Sequence, residues 1–165
     1  KHSFPTRRSS DLGDAGAASD GPGAPPRPLG ALRVEPEGEG RAAFEAAMRD
    51  LERLGPSAGR DSVERFASSG PSPSLGAEAW GRLGRALLDE GRDDEAARAF
   101  YRGLRDFPGG PGDAANLLGL GEALSALGRD DQACGAFAEI ARNHPDAPSS
   151  IRDRAAEAAR RAGCS

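Results

Sequence analysis

Two stretches of this 165-residue chain carry the same residue spacing, 37 positions apart. A chain that repeats in this way folds as stacked copies of one unit. The first stretch reads Trp80, Leu83, Gly84, Leu87, then Ala96, Phe100 and Pro108; the second reads Leu117, Leu120, Gly121, Leu124, then Ala133, Phe137 and Pro145. Laying 83–108 over 120–145 gives identity at about half of the positions, including Leu-Gly, Gly-Arg-Asp-Asp, the alanine, the phenylalanine and the proline. Apolar residues at helical spacing occur in any bundle. The joint repetition of spacing, glycine and proline points to a repeat rather than a generic bundle.

This pattern resembles the tetratricopeptide (TPR) helix pair, with its large-x-x-Leu-Gly-x-x-large, Ala-x-x-x-Phe and Pro positions. Each unit would be two antiparallel helices. Gly84 and Gly121 fall mid-helix, where glycine costs about 1 kcal/mol relative to alanine, so close packing against the partner helix is the expected reason. Ala96 and Ala133 are the small residues facing them, and Trp80, Leu87, Phe100, Leu117, Leu124 and Phe137 fill the space between helices. Gly91 and Gly128 suit the left-handed residue that closes a helix. Asp93 and Asp130 are expected as N-caps, and Pro108 and Pro145 as stops.

Gly and Pro concentrate in the first 40 residues. Residues 1–12 read KHSFPTRRSSDL, and from His2 onward they resemble the translation of a widely used sequencing adapter. They are set aside from fold and function, including the Arg7-Arg8 pair, which mimics an export signal. The segment's net charge of +2 makes the remainder −6 rather than −4. The natural N-terminus is then expected upstream of this sequence. Residues 13–40 have almost no large apolar side chains and are expected to be a disordered linker. Residues 41–165 form the TPR domain.

Within it, 41–54 is helical in pattern, with Phe44, Met48 and Leu51 on one stripe, and Gly55-Pro56 ends it. A short helix is expected over 61–69, with Asp61 as cap and Glu64 three residues on. These make a degenerate first repeat, about 41–74, without the Leu-Gly signature. Helices over 78–90 and 93–106 form the second repeat (77–112). Helices over 114–127 and 130–142 form the third (114–148). Residues 150–162 form a closing helix with Ser150 as cap. The fold class is therefore all-α: a TPR-type α-solenoid of about three helix pairs plus a closing helix.

The acidic balance, with a pI near 5.3, does not suggest a nucleic-acid partner. No apolar run approaches the ~18 residues of a membrane helix. No catalytic constellation, cofactor motif or phosphate loop is found. His144 is the one histidine left outside the adapter-like segment; it sits at a helix end, where packing is its expected role, and it does not make a zinc set with two cysteines. Asp93-Asp94 and Asp130-Asp131 read as helix starts. Cys134 lies on the second helix of the third repeat, and Cys164 just past the closing helix. An antiparallel return would bring Cys164 near the start of the 130–142 helix. Two readings stand: a disulfide contributing ~3 kcal/mol, in an oxidising compartment, or two unrelated thiols, with Cys134 a small buried residue in place of alanine.

From about 28 to 164 the chain resembles the C-terminal domain of the Tol-Pal system YbgF/CpoB family. Residues 28–32 (Pro-Leu-Gly-Ala-Leu), the 37-residue period, Leu120-Gly121-Glu122-Ala123-Leu124, Ala133-Cys134, Pro145-Asp146-Ala147-Pro148 and the ending Ala162-Gly163-Cys164 carry the resemblance. Arg85 stands where the family's second repeat usually has glutamate, and Gly81-Arg82 where it has aromatics. The resemblance implies a periplasmic protein that trimerises through an N-terminal coiled coil and binds TolA. It also implies coordination of outer-membrane constriction with septal peptidoglycan synthesis, and it favours the Cys134–Cys164 disulfide. A TPR outer-membrane assembly lipoprotein and a cytosolic TPR adaptor are the alternatives.

On this reading the chain is not an enzyme. Its partner-binding groove is expected on the concave face, where Glu78, Arg85, Leu88 and Asp89 align with Ala115, Leu118, Glu122 and Ser125. Charge reversal of Arg85 or Glu122 is expected to weaken binding without lowering thermal stability.

Overall fold

A computed structural model describes residues 37–165; the adapter-like segment and all but the end of the 13–40 linker lie outside the described residues. Six helices and no strand are found among them: α1 (Glu37–Ser68), α2 (Pro73–Asp89), α3 (Asp93–Asp106), α4 (Asp113–Ala126), α5 (Asp130–Asn143) and α6 (Ser149–Arg161). None is long and apolar enough to cross a membrane. Successive helices pack on one another, and α4 also touches α2 and α6, so the pairs stack as a solenoid.

The first pair departs from the expected boundaries. Its helix begins at Glu37, inside the expected linker, and runs to Ser68 with one non-helical residue, Gly55, at φ 74°. That left-handed conformation suits glycine. Pro56 then opens the second limb, where its fixed φ and missing N–H cost nothing at a helix start. Asp61 therefore lies inside the limb rather than capping it, and the short helix is longer than the 61–69 expected. Phe44 and Phe66 meet edge to face across the bend, with ring centroids 5.7 Å apart.

Helix α2 also starts earlier than residue 78. Ser72 caps it, its hydroxyl accepting from the Leu75 N–H at 3.4 Å, with Pro73 at the first turn. Asp93 and Asp130 are first-turn residues, not caps; Arg92 and Arg129 hold the cap positions without a side-chain cap bond. The carboxylates there still oppose the positive end of the helix dipole. Ser150 lies one residue inside α6, which follows Pro148.

Gly91 and Gly128 do take the left-handed conformation, both at φ 70°. In each turn the glycine N–H donates three residues back (to Leu88 and Ser125), and the next N–H donates five back (to Leu87 and Leu124). This is the Schellman closure. Gly163, at φ 73°, repeats it: its N–H donates to the Arg160 carbonyl and that of Cys164 to Ala159. The terminal Gly-Cys is thus the third copy of the repeat's helix cap.

Two apolar cores run along the stack. One joins α1, α2 and α3 around Phe44, Met48, Val63, Trp80, Leu83 and Phe100. The other joins α4, α5 and α6 around Leu117, Leu124, Phe137 and Ile140. The mid-helix glycines sit under aromatic rings of the partner helix. A Cβ on Gly84 would lie 2.8 Å from Phe100, and one on Gly121 would run into Phe137. Gly119 of α4 also presses on the Phe100 ring.

Candidate functional site

The first limb of α1, with α2 and α4, borders a groove of about 730 Å³. Its floor includes Met48, Leu51, Ala86 and Phe100, and its rim carries Glu52, Glu78, Arg82, Arg85, Asp89 and Glu90. The floor is apolar because each helix turns its core stripe inward; the rim is charged because the next residues along face water.

The structure divides the residues expected on the concave face. Glu78, Arg85, Asp89 and Ala115 line this groove together. Leu118 does not: it is 4% exposed and belongs to the α4–α6 core. Leu88 is half-buried against the first core. Glu122 and Ser125 border a separate hollow beside Phe137 and Ala158, and the Ser125 hydroxyl is buried without a partner. An α4 residue aligned with an α2 rim residue meets a different neighbour, because α6 covers α4 where α4 covers α2.

The rim is ionically organised. Arg82 donates to Glu78 at 3.0 Å along α2. Arg85 donates to Glu122 at 2.8 Å, and Arg154 of α6 reaches the same carboxylate at 2.6 and 3.0 Å. One carboxylate, 16% exposed, thus ties α2, α4 and α6 together. Reversing Glu122 would leave two guanidinium groups facing a like charge. The expectation that such a change spares stability is revised accordingly.

Sequence reasoning missed Asn116. It is 2% exposed and lines the groove. Its Nδ2 donates to the Ala77 carbonyl at 3.1 Å. Glycines of two other helices make room for it: a Cβ on Gly81 or Gly103 would lie 2.5 Å from its amide. The signal was present as one amide within the apolar run Ala114–Leu118 and two glycines off the repeat pattern. Arg154 was missed too, because no intra-repeat spacing marks it.

Cys134 and Cys164 form a disulfide with Cα atoms 5.4 Å apart, inside the usual range. No group of three His, Cys, Asp or Glu among the described residues could hold a metal ion.

Residues 115–147, nearly all of the α4–α5 pair, match the tetratricopeptide repeat family. Among curated protein sequences the chain finds no match. The described residues fold as an all-α TPR-type solenoid, and this chain contains a tetratricopeptide repeat, a module that typically acts by binding other proteins.

Proposed function

We propose that this chain is a periplasmic TPR scaffold of the Tol-Pal type, which coordinates outer-membrane constriction with septal peptidoglycan synthesis in cell division. The observation that carries the reading is the Cys134–Cys164 bond at the terminal Gly-Cys. Disulfides persist in oxidising compartments such as the periplasm, and the family that the chain resembles ends its last repeat in the same way. The α1–α2–α4 groove supplies a surface for a protein partner. On this reading the partner is a TolA-like envelope protein, linked to the peptidoglycan synthase machinery, and the protein is a homotrimer through a coiled coil. It needs no cofactor.

The test has two parts. The chain, produced in an oxidising compartment, is alkylated without reductant and weighed intact; its affinity for purified TolA is then measured by calorimetry, with and without Ala115→Trp. The reading expects no alkylation and binding that the tryptophan abolishes. Two freely alkylated thiols, or no TolA binding by the unmodified chain, would overturn it.

A further inference from the structure

The charges of the groove are one-sided once their partners are counted. Of its two cations, Arg82 is held by Glu78 and Arg85 by Glu122. Of its acids, Glu78 is taken by Arg82, and Glu90 pairs with Arg92 at 3.2 Å. Glu52 and Asp89 have no ion-pair partner among the described residues, and both are exposed. The buried amide of Asn116 adds to this bias: its Nδ2 is used by Ala77, whereas no N–H or O–H among the described residues donates to its Oδ1. The groove therefore offers acceptors and carboxylates above an apolar floor, with no unpaired cation among the described residues to recognise an anion.

We infer that the groove takes a cationic–apolar peptide: an extended segment of a protein partner that sets a bulky apolar side chain against the Met48–Leu51–Ala86 floor and gives an adjacent lysine or arginine to Glu52 and Asp89. Such a side chain has only donors to offer, which is what the unpaired carboxylates and the Asn116 oxygen require. An acidic segment would bring like charges together, a cost that discriminates between partners. The partner's backbone N–H groups are the other donors that can reach Asn116. This inference rests on the groove being the partner site, and it assigns the chemistry of the occupant.

The probe is a display library of short random peptides, selected on the full chain and counter-selected on Ala115→Trp, which fills the groove from an exposed position. The expected binders pair lysine or arginine with a bulky apolar residue. Added salt should weaken them, and Glu52→Lys with Asp89→Lys should weaken them by about tenfold or more. The reversed chain should select acidic peptides instead, with its melting temperature unchanged. Groove-dependent binders that are acidic, or that ignore the double reversal, would overturn the cationic assignment and leave the groove standing. Binders that Ala115→Trp does not block would overturn the groove itself. A library yielding no binder would overturn both.

Discussion

The two cores of the solenoid are built from different materials. The α1–α3 core is filled by large side chains, among them four aromatics (Phe44, Phe66, Trp80 and Phe100) and Leu83, Leu87 and Val63, all almost fully buried. The buried leucines of the α4–α6 core all come from α4, and its last helix buries just Ala155 and Ala158. Apolar stabilisation scales with the area removed from water, so α6 gains little from packing alone. It is held by three other devices: the Cys134–Cys164 bond, the Arg154–Glu122 pair and the Gly163 cap. The 37-residue period places the helix pairs alike, but what secures each one differs. Helix α6, with so little apolar area of its own to bury, relies on a covalent staple.

The largest effect should come from the first core. Phe100 is 2% exposed, with Gly84 and Gly119 against its ring. Phe100→Ala should cost about 3–5 kcal/mol in urea unfolding, since glycine neighbours have no side chains to fill the cavity. A loss below about 1 kcal/mol would mean that the ring is not what fixes the spacing of α2, α3 and α4.

The staple comes next. Cys134→Ser with Cys164→Ser opens a link of sequence separation 30, which the chain-entropy relation values at about 3–4 kcal/mol. The comparison makes a sharper demand than the total. Amide exchange should accelerate in α6 and the start of α5, where Cys134 sits, while α2 and α3 keep their protection. Uniform acceleration would show that the two cores do not differ in the way proposed.

A smaller effect is expected where the two regions meet. Gly119 lies on α4, yet it presses on Phe100 of α3. Gly119→Ala puts a methyl into the ring and should destabilise by about 1–3 kcal/mol through overpacking. Gly135→Ala on α5, where a Cβ meets nothing within 4 Å, should instead be stabilising by up to about 1 kcal/mol. Equal melting temperatures for the two variants would remove the packing account of the mid-helix glycines.

The residues that were legible in the sequence are those that act within a repeat. Leu83, Gly84, Phe100 and their counterparts 37 positions on recur because each pair needs the same internal fit, and the glycine turns recur because each closes the same helix. What escaped acts between repeats or at their starts. Asn116 is fixed by Ala77, Gly81 and Gly103 on two other helices, and Glu122 by arginines 37 and 32 residues away. Leu118 was expected on the groove by alignment with the second repeat, but α6 has no equivalent there and buries it. Helix starts failed for a local reason: Ser72-Pro73 and Gly55-Pro56 set them through backbone geometry, whereas the expectations followed the apolar stripe and the nearest aspartate.

The smallest effect concerns the bend within α1, the part of the first core with no repeat signature. Asp50 on the first limb accepts from the Ser62 hydroxyl of the second at 2.8 Å and from Arg53 at 3.3 Å. The Ser62 hydroxyl, first, and then Arg53 hold its carboxyl below the usual carboxylate range. A carboxyl whose value is lower folded than unfolded binds protons more readily in the unfolded chain. Its stabilisation is therefore complete above the unfolded value and lost as pH falls through the folded one. Thermal melting should place the wild type above Asp50→Asn at neutral pH, with the gap closing as the pH drops through the carboxylate range. Glu95 and Glu139 are lowered in the same direction, but they are present in both proteins, so the difference between the curves isolates Asp50. A gap that stays constant with pH would show that the contact across the bend acts through shape rather than charge, making the first limb's attachment apolar like the rest of its core.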